Sequence, residues 1–321
     1  MPIVLPYDTE SVHYAAAELR TGGVVAFATE TVYGLGARTM DPAAIQKLYA
    51  LKRRPSDNPL IAHVLDVASA RPLVSAWPRE ASLLASACWP GPLTIILHKA
   101  DAVPLAATGG RGTIAIRSPR HPLARALLHA VGTPISAPSA NRSGQVSPTT
   151  AEHVATDFLD EPELLILDGG PCTLGIESTV IDLTTRVPLV RRPGSVTVEQ
   201  LRELLGRVDV EHATAQGSSP GTAARHYAPL HPAVLVDGHL VQRALDASPE
   251  PAAVIAFEGR VVSPPHQLVA MPRDAEQYAA LLYGALRRAD SSGCARIIIE
   301  RPDQSGGAWD AVADRLARAT A

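Results

Sequence analysis

Val24-Val25-Ala26-Phe27-Ala28-Thr29-Glu30-Thr31-Val32-Tyr33-Gly34-Leu35-Gly36 decides how the rest of the chain is read. Five apolar residues after the turn signal Gly22-Gly23 predict a buried strand. The strand empties into a hydroxyl-rich loop over 29–36 that contains two glycines. A helix is expected before it, from a cap at Asp8 or Thr9 to about Arg20. Another is expected after it over 43–51, with Asp41 as cap and Pro42 at the first helical position. Strand, polar loop and helix in alternation predict an α/β sheet.

The alternation continues outward from this unit. Strands are expected over 60–65, 93–97, 113–117, 134–137 and 164–167, with helices over 79–88 and 121–131. Segments 179–183 and 188–192 predict a strand pair, and 198–205 a closing helix. From Gly206 to about His231 the character changes, and Gln216-Gly217-Ser218-Ser219-Pro220-Gly221 reads as an exposed linker. Beyond it a smaller α/β pattern appears, with strands over 234–236, 252–257 and 297–299. Tyr278, Leu281, Leu282, Ala285 and Leu286 fall on one face of a helix, and a terminal helix starts near Ala308. The expected organisation is therefore 1–206, a linker or lid over 207–231, and a second unit over 232–321.

Composition narrows the function. The chain of 321 residues is 46% hydrophobic and 19% charged, enough for two ordinary domains with ample core. A net charge of -3 argues against a general polyanion binder, so any nucleic-acid contact must be a local patch. Cys88, Cys172 and Cys294 are odd in number and far apart, which argues against a disulfide framework and for a reducing, cytoplasmic interior. The first residues lack a basic region followed by a long apolar run, and no apolar run reaches membrane-spanning length.

The chemistry is expected in polar loops at strand ends. No GxxxxGK[ST], GxGxxG after a strand, HExxH or CxxC occurs, no GxSxG elbow marks a hydrolase serine, and the eleven histidines show no metal-ligand spacing. Only three lysines are present, and one of them opens Lys52-Arg53-Arg54-Pro55-Ser56-Asp57-Asn58-Pro59. The prolines bias Arg54 and Asn58 away from helix, so this is a cationic loop suited to a phosphate. Other candidates are Thr29 to Thr31, His63, Thr113 to Arg117, Ser139 to Ser147, Glu177 to Ser178, and Arg192. Taken singly, each has an ordinary explanation as a turn former, a core histidine or a surface ion pair. Together they supply cations, hydroxyls and a carboxylate for joining or adenylating small anions in one cleft.

In combination these segments resemble the threonylcarbamoyl-AMP synthase family, in its two-domain form with a YrdC-like catalytic domain. The resemblance rests on ThrGluThrValTyrGlyLeuGly at 29–36, Lys-x-Arg-Pro at 52–55, AsnProLeu at 58–60 with His63, and TrpProGlyProLeuThr at 89–94. It extends through Ile-Arg-x-Pro at 116–119, AlaProSerAlaAsn at 137–141, SerPro at 147–148, GluSerThrVal at 177–180 and ArgProGly at 192–194. SerProGly at 219–221 and HisTyrAlaPro at 226–229 match the linker of the longer members. Ala28 departs from a common proline, and Thr222-Ala223-Ala224 from a stretch with methionine and a basic residue, with Arg225 following.

The resemblance implies a twisted open mixed sheet with helices, plus a smaller Rossmann-like α/β C-terminal domain. It implies an L-threonylcarbamoyladenylate synthase, a nucleotidyltransferase using L-threonine, bicarbonate and ATP for threonylcarbamoyladenosine modification of tRNA. No covalent nucleophile is expected. By motif, Thr31, His63, Arg117, the backbone at Ala137 and Ser178 would surround threonine. Lys52, Arg54, Asn58, Thr113, Ser139, Ser147, Arg192 and Tyr227 would hold ATP, with Mg2+ on its phosphates and no protein metal site. The product would pass to a threonylcarbamoyl transferase complex acting on tRNA. An RNA-binding module and a carbamoyl-adenylate-forming relative are the alternative readings.

Overall fold

The computed structural model describes residues 1–210, 226–248 and 250–321. The linker expectation over Gln216 to Gly221, the SerProGly match and the Thr222 to Arg225 departure lie outside the described residues.

Eleven strands form the larger sheet. They are β1 (Ile3–Pro6), β2 (Val25–Phe27), β3 (Gly34–Arg38), β4 (Ile61–His63), β5 (Leu93–His98) and β6 (Thr113–Arg117). β7 (Ile135–Ser136), β8 (Leu165–Asp168), β9 (Thr179–Asp182), β10 (Leu189–Arg192) and β11 (Asp209–Val210) complete it. Their order is β1-β8-β2-β3-β7-β4-β6-β5-β9-β10-β11. The sheet is mixed: β2 and β7 each run antiparallel to β3, whereas β4 and β6 are parallel. Segments 25–27 and 165–167 are buried throughout, which is why both read as continuous apolar runs rather than alternating ones.

Helices pack against this sheet. In chain order they are α1 (Thr9–Arg20), α2 (Pro42–Lys52), α3 (Val67–Ala70), α4 (Arg79–Cys88), α5 (Pro122–Val131), α6 (Ala151–Asp157) and α7 (Val198–Leu205). Their caps are those the residues dictate. Asp8 accepts from Ser11 N, and Asp41 accepts from Ala43 N and Ala44 N ahead of Pro42. α2 ends on Arg53 in the left-handed region, at φ 52, which releases the cationic loop from the helix. α1 and α5 share one core with Val25, Phe27 and Leu167, while α2 joins a larger core on the other side.

The second unit is a parallel sheet of β12 (Ala233–Asp237), β13 (Ala252–Phe257), β14 (Gln267–Met271) and β15 (Arg296–Arg301), in the order β12-β15-β13-β14. Its helices are α8 (Val241–Asp246), α9 (Ala275–Asp290) and α10 (Ala308–Ala319). On α9 the buried stripe is Tyr278, Leu282, Ala285, Leu286 and Ala289, whereas Leu281 is 48% exposed. The expected inclusion of Leu281 is thus corrected: the stripe turns past it at the helix rim. The units are pinned together. Arg287 of α9 donates to both Asp157 oxygens at 2.8 and 2.6 Å and to Val146 O at 2.5 Å. Among the described residues no helix is long and apolar enough to cross a membrane.

Candidate active site

A cavity of about 50 Å³ lies over one face of the larger sheet. Ile61 and His63 are alternate residues of β4, so they share a face, and both line it. Arg117 stands opposite His63 in the β4–β6 register and lines it too. The expectation that polar loops at strand ends line one cleft holds. His63, Arg117 and Arg192 are the last residues of β4, β6 and β10, and loops beside β2, β7 and β9 reach the same cavity. β3 and β7 run against their neighbours, so this sheet has no single carboxyl edge to carry the site. Loops close the rest of the wall, chiefly Thr29 to Val32, Ala137 to Ser139 and Glu177-Ser178.

Thr31, His63, Arg117, Ala137 and Ser178 all line this cavity. Arg117 Nη1 donates to Thr31 Oγ1 at 2.8 Å and its Nε to Gly91 O at 3.3 Å. Its Nη2 lies 2.8 Å from Glu30 Oε1, both side chains being buried. Burial would raise the Glu30 carboxyl, but the Arg117 guanidinium together with backbone N–H donors, that of Arg120 at 3.2 Å among them, holds the group below its usual range. Five N–H donors on a guanidinium exceed these contacts, so Arg117 retains donors for an incoming carboxylate. The Ala137 N–H is already committed to Ile61 O at 2.9 Å. Ser178 Oγ lies 2.7 Å from Thr94 Oγ1 and accepts from Arg192 Nη2 at 3.3 Å.

His63 is buried, and burial lowers its pKa to about 3. Its Nδ1 is 3.2 Å from Ile61 O, which can only accept. The neutral ring therefore carries its proton on Nδ1 and leaves Nε2 as an acceptor.

Of the residues expected at ATP, Arg54, Ser139, Arg192 and Tyr227 line the same cavity. Arg54 donates to Asn58 O at 3.3 Å and Pro59 O at 3.1 Å, and burial lowers it to about 10, still cationic at neutral pH. Arg192 Nε donates to Ser178 O at 3.1 Å. Tyr227 is wholly buried at φ 62, its ring 5.5 Å from that of Tyr283.

Lys52, Asn58, Thr113 and Ser147 do not line the cavity. Lys52 Nζ is buried behind the wall, donating to Ser139 O at 2.6 Å and to Asn141 O. Burial holds its pKa well below the ordinary lysine value, with Arg54 adding to the effect. Asn58 takes part through its carbonyl, which accepts from Tyr49 Oη and Arg54 Nε. Thr113 is four residues from Arg117 on the same strand, roughly 13 Å away at strand rise. Ser147 Oγ donates to Glu177 Oε1 at 2.6 Å. Arg53 points away, 73% exposed and 3.4 Å from Asp160.

Glu177, expected among the loop candidates, lines the cavity as a buried carboxylate, and two of its partners were not legible as such. Tyr283 of α9 and Arg315 of α10 reach it from the second unit, at 2.8 and 2.9 Å. A signal for Arg315 existed: Val312, Arg315, Leu316 and Ala319 follow i, i+3, i+4, i+7 spacing, so an arginine occupies an apolar stripe.

The hydroxyls at the cavity meet other hydroxyls, guanidiniums and an amide rather than a free base. Thr31 meets Thr29 at 2.9 Å, Ser178 meets Thr94, and Ser139 meets Asn141. Among the described residues no group of three His, Cys, Asp or Glu could hold a metal ion. The arrangement suits transfer between bound anions, achieved by position and charge.

A mixed α/β sheet with an arginine-lined cavity is the architecture of a YrdC-like enzyme unit. Residues 17–194 match the Sua5/YciO/YrdC family model, whose description is "telomere recombination", and 196–321 match the "threonylcarbamoyl-AMP synthase, C-terminal domain". The threonylcarbamoyl-AMP synthase of Bacillus subtilis is 42% identical over 319 residues, covering 95% of this chain and 91% of that one. The Pyrococcus abyssi synthase is 39% identical over 324 residues, covering 96% and 94%. The crystal structure of Pyrococcus abyssi Sua5 complexed with L-threonine matches with TM-score 0.91 and 35% identity, covering 100% of this chain and 97% of that one. The chain belongs to the Sua5/YciO/YrdC family, in the long form that carries the threonylcarbamoyl-AMP synthase C-terminal domain.

Proposed function

We propose that the cavity is where L-threonine and ATP meet, with Thr31, His63, Arg117, Ala137 and Ser178 on the threonine side. Arg54, Ser139, Arg192 and Tyr227 take the nucleotide side, and Lys52 supports the Ser139 to Asn141 loop from behind. The enzyme is an L-threonylcarbamoyladenylate synthase serving threonylcarbamoyladenosine modification of tRNA. The observation that carries this reading is the convergence of the whole threonine set, and of Arg54, Ser139, Arg192 and Tyr227 from the nucleotide set, on one cavity.

The threonine amine adds to the carbon of bicarbonate and water leaves, which gives a carbamate. Its oxygen attacks the α-phosphorus of ATP, the bond to the β-phosphate oxygen breaks, and pyrophosphate leaves with the displaced electron pair. The barrier is lowered by alignment and by positive charge on the departing phosphates. Arg117 offers a planar fork to the threonine carboxylate, and neutral His63 offers Nε2 to its ammonium or hydroxyl. Mg2+ would arrive as part of the substrate, on the ATP phosphates. Glu30 and Glu177 each face a guanidinium, so the donor set suits a metal held by phosphate oxygens and water.

At about 50 Å³ the cavity is far below the roughly 300 Å³ at the small end of ligand pockets. In this reading Tyr227, which lines the cavity, withdraws to admit substrate and closes over it. The proposed setting is the cytoplasm, with the product consumed by a threonylcarbamoyl transferase complex. The test is pyrophosphate release from ATP that depends on both threonine and bicarbonate. Release supported by carbamoyl phosphate instead, or RNA affinity that collapses with salt and ignores threonine, would overturn the reading.

A further inference from the structure

Arg315 is the largest fully buried side chain of the described residues, and it belongs to the last helix, α10. Its Nε donates to Glu177 Oε2 at 2.9 Å, and its Nη2 to Pro193 O at 3.1 Å and Glu177 O at 3.5 Å. Its Nη1 meets Asp314 at 2.6 Å, and its guanidinium carbon lies 5.3 Å from the Tyr227 ring centroid. Glu177 is thus held from both sides. Ser147 of the first unit donates to Oε1, while Tyr283 and Arg315 of the second donate to Oε2.

The position of this carboxylate matters because it lines the cavity beside Arg192 and Arg54. A buried carboxylate without a counter-charge would cancel part of the positive potential that an incoming triphosphate meets. Burial alone would raise the Glu177 carboxyl, yet Arg315 and then Arg192 pull it down to about 2, so it stays ionised. Arg315 is the counter-charge, and it also packs on the ring that closes the cavity.

We propose that Arg315 is a positioning residue for the nucleotide half of the site: it neutralises Glu177, making the ATP site complete only when the C-terminal unit is docked. The proposal rests on the reading that ATP binds this cavity, and it adds a role for the second unit in that binding. Arg315 touches no reacting atom.

The experiment uses full-length protein, with threonine-dependent pyrophosphate release measured across ATP and threonine concentrations. Arg315→Met should raise KM for ATP at least tenfold and change KM for threonine less than threefold. Arg315→Lys, which keeps the charge but not the flat fork, should recover part of the loss. The decisive variant is the double Arg315→Met, Glu177→Gln, which removes both charges together and should bring KM for ATP to within threefold of the parent. A double variant whose KM for ATP stays tenfold high overturns the proposal, whether or not Arg315→Met alone folds. Equal rises in both KM values would do the same. A parent enzyme without threonine-dependent release counts against the reading of the cavity instead, which separates the two failures.

Discussion

Arg117 contacts three parts of the chain at once, the Thr31 hydroxyl, the Gly91 carbonyl and the Glu30 carboxylate, and this fixes its guanidinium in the cavity wall. A fork already held in place binds a carboxylate with little further loss of freedom. Losing a charge-assisted contact costs about 1.5–3 kcal/mol. Arg117→Ala should therefore weaken threonine binding by about 10- to 100-fold while changing ATP affinity far less. Calorimetry with each ligand checks this, and equal threonine affinity in variant and parent would remove Arg117 from the carboxylate. His63 makes a second residue-scale prediction. Its folded pKa of about 3 lies below the unfolded value, so falling pH protonates the unfolded chain first. Its contribution therefore lowers stability as pH drops from about 6.5 toward 3, and has no effect above that window. Between pH 5 and 8 the imidazole nitrogen shifts of His63 should stay flat, and a midpoint near 6.5 would contradict its buried neutral state.

At the scale of elements, most helices and strands could be read from apolar period and caps, and the departures have definite causes. The loop expected over 29–36 ends early, because Gly34–Arg38 is strand β3. Two glycines suggested a turn, but they serve close approach. A Cβ on Gly36 would lie 2.7 Å from Ile135 Cγ2 and 2.7 Å from Phe27 Cε1. Gly36→Ala should therefore destabilise the protein by about 1–3 kcal/mol through overpacking. Urea midpoints test this, and an unchanged midpoint would mean the Phe27 ring yields freely. The cationic loop shows the opposite case. Its three positive residues look equivalent in sequence but diverge: Arg54 lines the cavity, Lys52 braces the wall, and Arg53 closes helix α2 facing Asp160. Sequence spacing cannot tell these apart, since the left-handed turn at Arg53 sets their directions.

At the scale of the whole molecule, the second unit takes part in the site. Tyr283 and Arg315 reach Glu177, and Arg287 binds Asp157 and Val146 O. A chain ended after Arg207 lacks Tyr227, Tyr283 and Arg315 together, and leaves Glu177 without its counter-charge. Threonine-dependent pyrophosphate release should fall at least tenfold in that chain, even where circular dichroism shows the larger sheet intact. Parental turnover would show that the first unit closes its own site. Thr31, His63, Arg117, Ser178 and Arg192 were readable as polar residues at expected strand ends, and their expected roles came from the combination of motifs, since each taken singly has an ordinary explanation. The α/β class was readable from the alternation of apolar runs. What the tertiary structure alone decided was partnership: that Lys52 faces carbonyls, that Ser147 serves Glu177, and that an arginine 138 residues beyond Glu177 neutralises it. Burial, direction and charge pairing depend on segments brought together by packing, and such long-range contacts leave only faint traces in the local pattern of a chain, like the arginine on the apolar stripe of α10.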